Sequence, residues 1–322
     1  MRWAFLIGYW VAAGQGLAAT FQESFAADPL ANGWQVFGDT NLFAWDSTNQ
    51  NLSVTWDSSH SNSYFSLPLG TILGKSDDFS FAFDLQLSSI AVGVNLDQPD
   101  TFELAAGLIN LLSATDPSLE RGVGVNPANG PRNIVEFDYF PDSGYGATVS
   151  PTLVSRNDQF ATSFSKPFEL DIGSLFHIAM SYTAANQTLV TTMTRNGAPF
   201  GPIKKTVLGP SFTDFRLDQF AISSYSEAGA DGSLLAQGTI ANILIVTPPS
   251  PVGYLSGSFT NGAWQVQFQS NTNWVYTLQR TANWTGWTNA SASVWGNGAT
   301  LCLQDTNGIP ASSFYRVAAA RP

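Results

Sequence analysis

The nine residues Ile134-Val135-Glu136-Phe137-Asp138-Tyr139-Phe140-Pro141-Asp142 alternate as a β-strand does. Successive strand side chains point to opposite faces, so Val135, Phe137 and Tyr139 share one side and Glu136 and Asp138 the other. The apolar side reads as core. The acidic side sets two carboxylates about 7 Å apart, at roughly 3.3 Å per residue, and such neighbours repel unless a cation, a sugar or a proton compensates them.

The same alternation recurs on both sides of this stretch. It is strongest in Phe79-Ser80-Phe81-Ala82-Phe83-Asp84-Leu85-Gln86-Leu87, where every odd residue is large and apolar. Leu52 to Trp56, Phe102 to Leu111, Phe168 to Ile172, Phe176 to Tyr182, Thr188 to Thr194, Phe215 to Ile222 and Ile240 to Val246 predict further strands. Turn chemistry separates them, as in Asn126-Pro127-Ala128-Asn129-Gly130-Pro131 and Arg195-Asn196-Gly197-Ala198-Pro199. Gly107 and the flanking strand signals oppose a helix over Leu104 to Leu112. Spacing of this kind predicts an all-β fold of two face-packed antiparallel sheets, a jelly-roll sandwich.

Thr247-Pro248-Pro249-Ser250-Pro251 breaks the pattern, because consecutive prolines lack backbone donors and favour an extended linker. The expected organisation is a leader over 1–19, the sandwich over 20–247, a linker over 248–253 and a small accessory β-sandwich over 254–322. Within the last, Asn261-Gly262 predicts a hairpin turn before the alternating Trp264 to Gln269. Trp274 to Arg280, Ala299 to Leu303 and Phe314 to Val317 complete it.

Charged residues make up only 11% of the 322, against a usual ~25%, and hydrophobic residues 44%. A net charge of -11 without a basic cluster larger than Lys204-Lys205 excludes a phosphate-backbone binder. Arg2, the apolar run Trp3 to Ala13 and the cleavage-site pattern Gly16-Leu17-Ala18, small at its first and last places, read as a secretory signal, so the mature protein is expected to be secreted or displayed at the cell surface. That run is shorter than the roughly 20 residues that span a bilayer, so no membrane span is expected in the mature protein. Cys302 is the single cysteine; it excludes an internal disulfide and reads as a small core residue.

The acidic stretch resembles the metal-loop strand of the legume-type, concanavalin A-like lectins. Their pattern runs Glu, apolar, Asp, any, aromatic, Pro, Asn; here those places hold Glu136, Phe137, Asp138, Tyr139, Phe140, Pro141 and Asp142. The resemblance implies Glu136, Asp138 and Asp142 as metal ligands, with the Phe140 carbonyl beside them, and calcium (Ca2+) as the cofactor. It further implies that the residue after Pro touches sugar. The family's next Asp and His do not follow: the chain continues Ser143-Gly144-Tyr145-Gly146-Ala147. Phe21-Gln22-Glu23-Ser24-Phe25, with Gly33-Trp34 and Trp45, also looks like the start of bacterial laminin-G and concanavalin-like modules. Tyr276 to Gln279, Trp284-Thr285-Gly286-Trp287, Asp305 and Phe314 to Val317 are similar to a C-terminal module of exported proteins from Verrucomicrobia-like bacteria.

The same sandwich hosts laminarinase-type glycosidases, which carry a second Glu where this chain has Phe140 and Pro141, and neither can donate a proton. Asp142 is roughly 20 Å from Glu136 along a straight strand, whereas retaining catalysis needs carboxyls about 5 Å apart. His60 and His177 have no partner pattern for a general base, and Gly-x-Ser-x-Gly does not occur. These omissions point away from an enzyme. A secreted, lectin-like carbohydrate-binding protein is the expectation, with a glycan or polysaccharide as partner. Pyranose faces stack on rings while hydroxyls take polar groups, which selects Tyr145 and Phe140 as candidate sugar residues beside Asp142, the sugar contact that the lectin resemblance implies. The alternatives are an adhesive surface protein without a sugar site, its acids merely solvated on an open sheet face, and a diverged laminarinase-type hydrolase. Whether Tyr145, Asp142 and Glu136 converge on one open concave patch separates them.

Overall fold

Alternating apolar residues dominate the chain, and the computed structural model, which describes residues 19–123, 129–284, 286–305 and 313–322, is accordingly almost entirely β-strand. The expected leader lies, but for Ala19, outside those residues. The described residues form two units, Ala19–Pro248 and Pro249–Pro322. No helix among them is long and apolar enough to cross a membrane.

The larger unit is a jelly-roll sandwich of two antiparallel sheets. The seven-stranded sheet runs in the order Phe160–Thr162, Thr148–Val154, Ile134–Phe140, Leu104–Ile109, Leu217–Ser224, Ser63–Leu73, Gln35–Phe37. The nine-stranded sheet is centred on two long strands, Phe79–Val92 and Leu234–Thr247. Phe137 meets Phe83 across the sandwich with ring centroids 6.0 Å apart, and Phe220 meets Phe81 at 5.7 Å. Edge-to-face packing of this kind adds to the burial of the rings. Val135, Phe137 and Tyr139 therefore face the core, as their alternation requires. Trp34 and Trp56 are buried in the same unit, while Trp45 is partly exposed and donates its indole N–H to the Phe25 carbonyl at 2.8 Å.

One strand expectation needs correction, and one strand was not foreseen. Phe168 to Ile172 is irregular: the Phe168 amide reaches the Ala147 carbonyl and the Leu170 amide the Tyr139 hydroxyl, so single side chains dock on the core without joining a ladder. Thr148–Val154 is a strand although it contains Pro151, and every residue in it is buried, which erases the period of two.

In the smaller unit, Val252–Thr260, Ala263–Ser270 and Thr300–Asp305 form one sheet, and Val275–Thr281 pairs with Phe314–Ala320 in another. Asn261 and Gly262, at φ 53° and 79°, make the two-residue hairpin turn between Thr260 and Ala263. Tyr276 is fully buried and donates to the Pro251 carbonyl at 2.7 Å. Cys302 is exposed, contrary to expectation, because Leu303 next to it takes the inward position.

Candidate functional site

The face of the seven-stranded sheet away from the core carries the acids. Cross-strand register sets Glu136 between Gly107 and Thr152, and Asp138 between Ala105 and Ser150. A side chain at Gly107 would not fit, since its Cβ would stand 2.6 Å from the Glu136 Cα and 3.1 Å from its Cγ. Small neighbours thus let the carboxylates lie down on the sheet. Neither acid is solvated: Glu136 is 0% and Asp138 1% exposed. That overturns the picture of wetted acids on an open sheet face.

Residues 110–123 leave the sheet and fold back over it. The Asn62 side-chain amide donates to the Leu119 carbonyl at 3.0 Å and the Tyr64 hydroxyl to the Ala114 carbonyl at 2.9 Å, which pins this segment down. It delivers Arg121, from the short 3-10 turn Arg121–Val123, onto the acids. The guanidinium Nη2 donates to Asp138 Oδ2 at 3.0 Å and stands 3.9 Å from Glu136 Oε2. Its Nε lies 3.0 Å from Glu103 Oε1, and the Tyr225 ring centroid is 5.2 Å from its Cζ. From the strand Leu217–Ser224 and just beyond it, the Ser223 and Tyr225 hydroxyls both donate to Glu136 Oε1, at 3.2 Å and 2.8 Å.

One guanidinium faces three buried carboxyls, and the remaining charge is met by protons. Burial, the Asp138 charge and only then relief from Arg121 leave Glu136 pushed up to about 8. Burial likewise raises Glu103 to about 7 against the opposing pull of Arg121, and raises Asp138. Arg121 is held charged, its own burial outweighed by Glu103 and Asp138. Near neutrality the cluster therefore carries little net charge, as a low-dielectric site demands.

Beside this cluster opens a cleft of about 760 Å³. Its floor includes Glu103, Arg121, Asp138 and Thr152, and Asp138 Oδ1 there is buried without a hydrogen-bond partner. Phe140, Phe160 and Phe164 offer rings, and the carboxylates of Asp100, Asp142 and Asp231 stand exposed at its edge. The wall at Ala230-Asp231-Gly232 lies against Asp100-Thr101 so closely that a Cβ on Gly232 would stand 2.6 Å from the Thr101 carbonyl carbon. The Thr101 hydroxyl in turn donates to the Pro141 carbonyl.

Of the residues expected at a sugar site, Phe140 and Asp142 line this cleft and Tyr145 does not. Tyr145 is 77% exposed, and the Lys166 ammonium lies 3.4 Å from its ring centroid. Glu136 is sealed beneath Arg121, so Tyr145, Asp142 and Glu136 do not converge on one patch. Asp142 shares a cleft with Phe140 and Asp138 instead.

The expected calcium site fits this arrangement poorly. Calcium takes six to eight oxygens, and an ion held between Glu136 and Asp138 would compete with a guanidinium already bonded to Asp138 and 3.9 Å from Glu136. Asp142 is at the edge of the cleft, exposed, while the other two acids are buried. Among the described residues no group of three or more His, Cys, Asp or Glu side chains is arranged to hold a metal. His60 and His177 pair with Asp39 at 2.8 Å and Asp84 at 2.7 Å, and neither lines the cleft.

Comparison with solved structures places this architecture in company. The likeness is to legume-type lectins. Lectin UEA-II complexed with galactose is 12% identical, with 71% of this chain and 98% of that one covered and a TM-score of 0.48. Peanut lectin with a nine-residue peptide is 17% identical, covering 70% and 98%, at 0.40. The carbohydrate recognition domain of Emp47p is 13% identical, covering 70% and 97%, at 0.38. No protein-family model matches the chain, and no curated protein does. All these TM-scores lie below 0.5, and the likeness carries no argument.

Glu103 and Arg121 escaped the sequence reading. The only available signal was the demand for a compensating partner at Glu136 and Asp138, in a chain with just 13 Lys and Arg.

Proposed function

We propose that the sandwich unit binds a carbohydrate in this cleft and does not cleave it. The observation that carries the reading is the combination, in one cleft, of the Phe140, Phe160 and Phe164 rings with the exposed carboxylates of Asp100, Asp142 and Asp231. Rings suit the C–H faces of a pyranose, and carboxylates accept from its hydroxyls. Five carboxyl groups against one guanidinium line the cleft, so it favours neutral or amine-bearing sugars and repels uronates and sulfated chains. Catalysis by the strand acids is disfavoured because Glu136 is enclosed and Asp138 is bonded to Arg121, so neither is free to act as nucleophile or general acid.

Titration with neutral, amine-bearing and sulfated oligosaccharides, read by calorimetry, tests this directly. Saturable binding of the first two classes, weakened at least about tenfold by Asp142→Asn, is the expected outcome, with each tenfold corresponding to ~1.4 kcal/mol. No binding in any class would favour the adhesive surface protein. Release of reducing ends from β-glucans, abolished by Glu136→Gln, would make it a hydrolase. The leader-like residues 1–19 support export, and the N-terminal sequence of the protein recovered from outside the cell tests that.

A further inference from the structure

We propose that Arg121 is the resident cation of this site, taking up within the polypeptide the charge compensation that a bound divalent ion would otherwise supply to Glu136 and Asp138. Three observations carry it. The guanidinium donates to Asp138 at 3.0 Å, lies 3.0 Å from Glu103 and faces Glu136 at 3.9 Å, so one side chain contacts every buried acid of the cluster. It is 8% exposed and stacked near the Tyr225 ring, a permanent fixture of the fold and not a mobile surface group. The segment that brings it is itself fastened, through Asn62 to Leu119 and Tyr64 to Ala114.

Arginine suits this duty because it stays protonated at any physiological pH and presents several donors in a rigid plane. A metal ion needs its ligands deprotonated and its site preformed, so a metal-organised cleft fails on chelation or acidification. A guanidinium built into the chain is at fixed stoichiometry and cannot be extracted. The cleft floor, which includes Glu103, Arg121 and Asp138, is therefore assembled without calcium. Arg121 acts here as a positioning residue: it fixes the floor against which any ligand sits.

The experiment uses the full chain and no carbohydrate, so its result is independent of the glycan reading. Thermal unfolding is recorded with a chelator and with millimolar calcium, and calcium alone is titrated into the protein by calorimetry. The expected result is the same unfolding temperature in both buffers and no saturable heat. A chelator-sensitive unfolding temperature, or saturable calcium binding lost in Asp138→Asn, would overturn the proposal.

A second arm removes the cation. Arg121→Met strands buried carboxylates and is expected to lower the unfolding temperature by roughly 10 °C or to prevent folding, since removing one partner of a buried ion pair is strongly destabilising. Combining it with Glu103→Gln and Asp138→Asn, which match the shape of the acids without their charge, is expected to recover most of that loss. An Arg121→Met protein as stable as the parent overturns the assignment. So does a triple variant no better than the single one, which would leave Arg121 a packing residue only.

Discussion

Arg121 and Asp138 are joined by a 3.0 Å hydrogen bond, one from a short 3-10 turn and the other from the middle of a buried strand. That bond closes a lid of chain over an acidic sheet face and turns two repelling carboxylates into part of a compensated cluster. Its consequences reach the stability, the pH response and the binding surface of the larger unit.

The first consequence is steric. Glu136 lies over Gly107, whose missing Cβ would stand 2.6 Å from the Glu136 Cα. Gly107→Ala is expected to destabilise the protein by about 1–3 kcal/mol, the usual cost of overpacking. Chemical denaturation checks it through a lowered midpoint at unchanged slope.

The second is a pH dependence. Glu136 at about 8 and Glu103 at about 7 both start from 4.5, so the folded protein holds protons that the unfolded chain releases. For a raised carboxyl the stabilising contribution is complete below about pH 4.5 and is lost as pH climbs toward 8. Melting temperature is therefore expected to fall as pH rises from 5 to about 8, read by unfolding curves across that range. Glu136→Gln, a permanently neutral isostere, is expected to flatten that slope.

Asp142 offers a way to separate binding from folding. It is exposed and holds a φ of 52°, a left-handed conformation that Asn also tolerates. Asp142→Asn is expected to change stability by less than about 0.5 kcal/mol, as surface substitutions do, while weakening sugar binding. Calorimetric titration beside a melting curve reads both.

In the smaller unit, the Tyr276 hydroxyl donates to the Pro251 carbonyl at 2.7 Å and accepts from the Asn271 amide at 2.8 Å. Tyr276→Phe strands both groups and is expected to cost about 1–3 kcal/mol. A denaturation curve of the full chain measures it.

Cys302 is exposed on its strand. A thiol reagent is expected to modify it completely in the native protein without unfolding, with thiol titration against time as the check. Slow modification that tracks unfolding would instead mean a buried sulfur.

Strand periodicity is a local property, and the chain displays it openly. The alternation of Phe79 to Leu87 and of Val135 to Tyr139, and the hairpin at Asn261-Gly262, follow from side chains taking opposite faces and from backbone preference at a turn, both of which neighbours in sequence decide. The unresolved repulsion between Glu136 and Asp138 was legible in the same way. What answered it was not, because Arg121 reaches the acids only after residues 110–123 have folded back over the sheet, and nothing local encodes that contact. The cleft shares this origin: Asp231 and Gly232 meet Asp100 and Thr101 across some 130 residues of chain. Burial by distant segments likewise hid the strand Thr148–Val154, whose two covered faces leave no alternation to read.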